Sequence, residues 1–396
     1  MKRLLSTLAA FALTAAVAFA TPAEDMLKAA PKTVDGLVAM ADGAPGNKPA
    51  PAGKKNAKPT LDPVAYEALI LAFADAKVNA KTLDLDFTSY PAKALAAVRR
   101  KYALPDSAAF IPRLLAHPDA KVRARTVLLM EGFLFGTSSA DRKAGIRQMA
   151  TEKDPIVLYA LIRTFANDGA KDAAIGKFLV DCLGNATPVI RYKAVIHGCS
   201  SWNAKTPGFA KRIAEMMNTE KDPEVRKAIL ERAGRLGNED ILLPAYKTAA
   251  QDADPLVRSY VVSGLLNYWW DYPFLKGDSQ AAYDLTLQIL KTFPGVKNVP
   301  TSAFVMCSNL KNKPSGKAYD EWKVRTAAWY KSEEVRAALL PIAEDTGLSF
   351  VIRGSAIDAL ITHGLSKADF EALMGRLEAA GDRHAKSFRS KGSKIK

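Results

Sequence analysis

The sequence is poor in the residues from which rigid chemical sites are usually assembled. Three cysteines in 396 residues are too few for a disulfide framework. The four histidines, at 117, 197, 363 and 384, are scattered, so no histidine-built metal site is expected. Gly-x-Ser-x-Gly, His-Glu-x-x-His, Gly-x-Gly-x-x-Gly and the Walker loop are absent, and Gly316-Lys317 lacks the upstream glycine of a phosphate loop. Asp84 and Asp86 flank Leu85 without the glycine and terminal glutamate of a calcium loop. These absences argue against an enzyme and against a bound cofactor or metal. Past the first twenty residues no run of about 20 apolar residues occurs, so the body should not span a membrane.

What is present suits a folded chain: 48% hydrophobic and 24% charged residues. The net charge of +15 is unevenly placed. Residues 47–60 carry +4 and residues 383–396 carry +6, which leaves the long body only weakly basic. A specific nucleic-acid binder would carry its basic stripe on folded elements, so none is expected. The two basic segments read as solvated tails able to touch anionic polymers or membrane surfaces.

The start of the chain reads as an export signal. Lys2 and Arg3 precede an apolar, alanine-rich run from Leu4 to Phe19, and Ala18-Phe19-Ala20 is a small-x-small cleavage site. Cleavage after Ala20 would deliver a mature chain starting at Thr21 to a bacterial periplasm or the exterior. Residues 22–41 suggest a short helix broken by Pro31 and Gly36. Residues 43–60 are rich in Pro, Gly, Ala and Lys and lack aromatic or β-branched residues before Thr60. Residues 21–60 are therefore expected to be a disordered linker, 61–380 the folded body and 381–396 a disordered basic tail.

The body repeats. Asp154-Pro155-Ile156-Val157, Thr187-Pro188-Val189-Ile190-Arg191, Asp222-Pro223-Glu224-Val225-Arg226 and Asp254-Pro255-Leu256-Val257-Arg258 share one pattern. Looser copies are Asp119-Ala120-Lys121-Val122-Arg123 and Ser349-Phe350-Val351-Ile352-Arg353. Asp, Thr or Ser acts as an N-cap, and proline follows at the first helical position, where its missing N–H costs nothing. Apolar residues four and eight positions past each anchor continue a helical stripe, with Thr126 and Gly198 as weak members. A second apolar helix precedes each anchor, often with an internal proline (Pro112, Pro244, Pro341) that should bend it. One helix pair cannot bury its own face, so pairs must stack.

These motifs resemble HEAT repeats, particularly the bacterial HEAT-like type, and the likeness is strongest over residues 105–265. The resemblance implies an all-α, armadillo-like αα-superhelix, a solenoid of antiparallel helix pairs. It also implies a ladder between adjacent repeats joining Asp119, Asp222 and Asp254 to Arg123, Arg226 and Arg258, broken at Leu158, Thr187 and Ser349. HEAT arrays serve as protein scaffolds and some related repeats assist chromophore lyases, so the family indicates fold more than function.

Cys182 and Cys199 fall at opposite poles of antiparallel helices, too far apart to bridge, and Cys307 lies in an apolar run. His197 and His363 each precede a glycine at a helix end, where they complement the dipole or pack. One segment stands apart: Asn267-Tyr268-Trp269-Trp270-Asp271-Tyr272-Pro273-Phe274, where the period breaks. Together with Trp202 after an equivalent helix, Tyr268, Trp269, Trp270 and Tyr272 are expected to form one rim patch that binds ligand, or else to plug a change in repeat geometry. The expected function is a monomeric exported scaffold that binds another envelope or extracellular protein. The alternatives are a glycan or cell-wall binder using the aromatic rim, and a lyase-like enzyme.

Overall fold

The computed structural model describes residues 21–84, 86, 88–105, 110–130 and 139–395, so the export signal at residues 1–20 lies outside it. The chain is all-α, of the superhelical helix-pair class. It divides into two compact units, Met1–Ala160 and Leu161–Lys396. Among the described residues there is no strand, only isolated bridges of Thr60 to Lys48 and to Ala103.

The first unit holds α1 (Pro22–Ala29), α2 (Val34–Asp42), α3 (Pro63–Ala74), α4 (Tyr90–Lys101), α5 (Ile111–Leu115), α6 (Ala120–Leu129) and α7 (Ser139–Met149). Here the expected disordered linker is corrected. α1 packs on α3 and α2 on α4, burying Ala23, Leu37 and Ala41. Both helices are capped: Thr21 forms a reciprocal capping box with Glu24, and the Thr33 side chain accepts the Gly36 amide. Residues 49–59 form no helix, yet their ends are pinned, with Lys48 and Thr60 exchanging backbone hydrogen bonds at 2.9 Å. Pro112 is the second residue of the five-residue α5, so it starts that helix instead of bending it.

The unit boundary falls inside α8 (Pro155–Phe165). Then come α9 (Ala173–Leu183), α10 (Pro188–Gly198), α11 (Phe209–Thr219), α12 (Pro223–Arg232), α13 (Glu239–Ala249) and α14 (Pro255–Trp269). The first helices α9, α11 and α13 pack in succession, and so do the second helices α10, α12 and α14. The anchors Ile190 and Val225 and the stripe members Ala194, Ile229, Val261 and Leu265 are buried. Gly198 is required by close packing: a Cβ there would lie 2.6 Å from the Phe209 ring. Asp119, Asp222 and Asp254 cap their own helices, but the Thr187 side chain does not, and the Asn185 side chain accepts its amide instead.

The ladder differs from the one the family likeness implies. Arg123, Arg191, Arg226 and Arg353 each reach an acid two residues ahead of a later N-cap. Arg191 grips both oxygens of Glu220 at 2.7 and 2.8 Å, and Arg123 does the same with Glu152 at 3.0 and 3.2 Å. Arg226 bonds Asp252 at 2.7 Å, and Arg353 pairs with Asp382 in a fully buried contact. Burial alone would raise the Glu152 carboxyl. The Arg123 fork and the amides of Asp154 and Lys153 outweigh it and hold the group at about 2. Leu158 stands where an arginine would, and neutral Asn185 stands where its acid would. Among the described residues Arg258 makes no ion pair, because the period ends there; it donates to the Asp252 and Ala253 carbonyls at 2.8 and 3.1 Å, and its guanidinium lies over the Phe293 ring.

After α14 come α15 (Gln280–Leu290), α16 (Val305–Ser308), α17 (Lys317–Thr326), α18 (Ser332–Glu344), α19 (Phe350–Thr362), α20 (Lys367–Ala379) and α21 (Ala385–Arg389). The disordered C-terminal tail is the second correction. Phe388 is buried and stacks on Phe350, and Lys391 and Lys394 both bind Asp358, at 2.6 and 2.9 Å. Arg389 pairs with Glu371 and Glu378. Three of the tail's cations, Arg389, Lys391 and Lys394, thus meet acids of the last helices.

Candidate functional site

The aromatic segment lies at the end of α14, and the structure splits the five residues expected to act together. Trp269 and Trp270 are 0% and 1% exposed, and Tyr268 is buried too. Trp202 is 63% exposed and Tyr272 38%. The single binding patch is therefore corrected: its two central tryptophans are interior. Trp270 packs edge-on to Trp322 with centroids 5.1 Å apart, lies 4.7 Å from the His363 ring and is stacked on Tyr330. Trp269 packs edge-on to Tyr283 at 5.1 Å.

Every indole N–H in this cluster has an internal partner. Trp269 donates to the Thr286 hydroxyl at 3.1 Å, Trp270 to the Asn309 carbonyl at 3.0 Å, and Trp322 to the Trp269 carbonyl at 2.8 Å. Tyr283 bonds the Lys331 carbonyl at 3.0 Å. The aromatics thus join α14 to α15, α17, the start of α18 and the end of α19, where the regular repeat is interrupted. With polar tips satisfied inside and ring faces covered, Trp269, Trp270, Trp322 and Tyr283 are not offered to a ligand.

His363 completes the cluster. Its Nδ1 lies 2.8 Å from the Tyr330 hydroxyl, and its carbonyl accepts from Arg336 at 2.6 Å. Burial first, then the Arg336 charge, pushes its pKa down to about 3, with the Leu310 backbone acting the other way. In the unfolded chain this imidazole titrates near 6.5. As pH falls below that value the unfolded state takes up a proton that the folded state refuses. The contribution is intact above pH 6.5 and is lost progressively down to about pH 3, at roughly 1.4 kcal/mol per pH unit. Between pH 6.5 and 5.0 the wild type should lose about 2 kcal/mol more than His363→Gln in urea unfolding. Parallel pH curves for the two proteins would show that His363 is not the group responsible.

The surface above this core is a rim of turns that follow the second helices. The 3₁₀ turns Ala166–Asp168, Ser201–Asn203 and Ala233–Leu236 touch one another in order. Asn203 is buried and donates to the carbonyls of Ala166 and Gly198 at 2.7 and 2.8 Å. The Asn238 amide reaches the Ala204 carbonyl at 3.0 Å, and the Tyr268 hydroxyl reaches the Gly237 carbonyl at 2.8 Å. From this braced rim Trp202 projects with the Lys171 ammonium 5.5 Å from its ring, and Phe274 is 64% exposed in the segment after α14. No ring contact links Trp202 to residues 268–274 among the described residues.

Acid–base candidates are sparse. Glu231 and Asp271 are partly buried carboxyls whose pKa is raised, by burial first, but neither is joined to a nucleophile. Burial pushes all three thiols to about 12, and the three cysteines are free. Among the described residues no group of three His, Cys, Asp or Glu is placed to hold a metal ion, and no helix is long and apolar enough to cross a membrane. A cleft of about 350 Å³ between α12 and α14 is lined by Lys227, Glu224, Arg226 and Tyr260, and its Arg226 is already engaged by Asp252.

No family model and no curated protein matches the chain. Among solved structures, the crystal structure of an engineered protein is similar over 93% of each chain, at 14% identity and a TM-score of 0.39.

Sequence reasoning missed Trp322, Tyr330, Tyr283 and His363 as partners of Trp269 and Trp270. The available signal was a second aromatic concentration, Tyr319, Trp322, Trp329 and Tyr330, on the far side of the same break in the period.

Proposed function

We propose that this chain is an exported, non-catalytic helical-repeat scaffold of HEAT-like type that binds another envelope or extracellular protein through the turn rim bearing Trp202 and Phe274. The observation that carries the reading is that Trp202 stands in solvent on a rim braced from turn to turn and Phe274 stands in solvent in the segment after α14, while the neighbouring tryptophans are consumed by the core. Rigid, exposed aromatics on a preorganised support suit protein recognition, because little conformational entropy is lost on docking. Export rests on the signal pattern of residues 1–20. Cleavage after Ala20 is compatible with α1, whose capping box begins at Thr21.

The test is Trp202→Ala combined with Phe274→Ala. Capture of the protein partner from the native envelope should weaken by about thirtyfold or more, as for interface anchors, and the melting temperature should stay nearly constant. Retention on isolated cell-wall glycan, lost in the same variant, would favour the glycan reading instead. Undiminished capture would overturn the rim as the site. Intact mass of the chain from an expressing bacterium should correspond to a start at Thr21, and a product retaining residues 1–20 in the cytoplasm would contradict export.

A further inference from the structure

The basic stretch at residues 47–60 is not a loose tail. Its base is closed by the paired backbone bonds of Lys48 and Thr60, and it is tied to the body by two more, Leu61 N–H to the Ala103 carbonyl and Ala103 N–H to the Pro59 carbonyl, at 2.9 and 2.8 Å. The Lys58 ammonium donates to the Arg99 carbonyl at 3.0 Å, which sets the loop against the last turn of α4. That turn reads Arg99-Arg100-Lys101, and cations there complement the helix dipole. Residues 43–60 and 90–103 hold eight cations, Lys48, Lys54, Lys55, Lys58, Lys93, Arg99, Arg100 and Lys101, and no acid. Acids border these segments: Asp42, bound by Lys101 at 2.7 Å, Asp62, which accepts the Gly46 amide, and Asp86, whose carboxyl feels the Lys93 charge. Lys48, Lys54, Lys55, Lys58 and Arg100 are all exposed.

We propose that this clamped loop and the C-terminal turn of α4 form a docking surface for an anionic phospholipid bilayer. A dense layer of headgroup phosphates is the complement of a surface on which exposed cations outnumber the bordering acids. The alternative polyanion, single-stranded nucleic acid, is held by aromatic side chains that stack on bases. Among the described residues none is offered here: Tyr102 is buried with its hydroxyl on Asp42, Tyr90 is half-buried, and residues 43–60 contain no aromatic. The loop also lacks large apolar side chains, so the attachment is electrostatic and peripheral. Pinning the loop keeps its lysines together, which lowers the ordering cost of their joint engagement.

The experiment is co-sedimentation of the protein purified from an expressing bacterium with two vesicle types, phosphatidylcholine alone and phosphatidylcholine with phosphatidylglycerol at about 7:3. Binding should require phosphatidylglycerol and disappear on raising salt from about 0.1 M to about 0.5 M, as screening shortens the reach of the charges. Each lysine near an anionic membrane is worth about a fivefold factor, so the combined variant K54E, K55E and K58E should bind about a hundredfold more weakly. K54E with K55E alone spares the Lys58–Arg99 contact and should still lose about twenty-five-fold. The combined variant K211E, K247E and K313E changes the net charge equally in the other unit and should bind within about threefold of wild type. Equal losses in the two triple variants would overturn the proposal. So would equal binding to neutral vesicles, absence of binding, or stronger retention of a single-stranded oligonucleotide at the same salt. None of these readouts involves the protein partner of the rim.

Discussion

Alanine at both Trp269 and Trp270 is expected to collapse the second unit while leaving any surface site without a direct role in the loss. Each is a fully buried indole, and truncations of this kind cost about 3–5 kcal/mol apiece. The effects will not simply add, since the rings lie 5.8 Å apart and share Tyr330 as a neighbour. The double change also strips the Thr286 hydroxyl and the Asn309 carbonyl of their indole donors and leaves Trp322 packed against a void. A native domain is stable by about 5–15 kcal/mol, so the double variant should be largely unfolded or aggregated at 37 °C. Thermal melting followed by circular dichroism is the measurement. A variant that melts within a few degrees of wild type would show that the indoles are not the joint between α14 and the elements after it.

Aspartate at Val225 should be nearly as damaging through a different cause. Val225 is 1% exposed and is the anchor of α12, packed between α10 and α14. A carboxylate there has no counter-ion to meet, because Arg226 on the same helix is already spent on Asp252. Burying an unpaired charge or a neutralised acid in an apolar seam puts the cost at about 4 kcal/mol or more. Val225→Thr keeps the shape and adds only a hydroxyl, so it should cost far less. Lys211→Asp, on the exposed face of α11, should change stability by no more than about 0.5 kcal/mol. Urea unfolding of the three variants gives this order directly, and a mild Val225→Asp would mean that the seam is not packed as described.

The helix pairs were legible because their signals are local. An N-cap, a proline and an apolar residue every three or four positions are all contained within one helix, and Asp222-Pro223 followed by Val225 and Ile229 behaves as those rules require. The ladder was half legible. The arginines were recognised, but their partners Glu152, Glu220 and Asp252 stand two residues ahead of the aspartates that the family likeness suggested. Glu152-Lys153-Asp154-Pro155 and Glu220-Lys221-Asp222-Pro223 spell the correct acid twice. The two acids do different work: the one beside proline caps its own helix, and the upstream one pairs with the preceding repeat.

The two terminal segments were misread for a different reason. Composition argued for disorder in residues 21–60, yet a few small apolar residues, Ala23, Leu37 and Ala41, suffice when helices α3 and α4 provide a ready surface. Phe388 plays that part at the other end, on Phe350. The aromatic segment was misread because burial of an insertion is decided by its distant partners. Tyr268 through Tyr272 look alike in sequence, but Trp322, Tyr330 and His363 lie 52 to 94 residues away and select the two tryptophans for the interior. What remains outside, Trp202, Tyr272 and Phe274, could not be told from them by spacing.

The central claim is that the exposed rim, and not a buried or catalytic site, holds a protein. A photo-crosslinking phenylalanine analogue placed at Trp202, in the chain expressed in its own envelope, tests it most directly. The account predicts one dominant protein adduct, lost when Phe274 is changed to Ala and absent when the analogue stands at the exposed Lys247, in the last turn of α13 and so at the end of that helix away from the rim turn that precedes it. Equal labelling from both positions, or an adduct with carbohydrate and no protein, would contradict it.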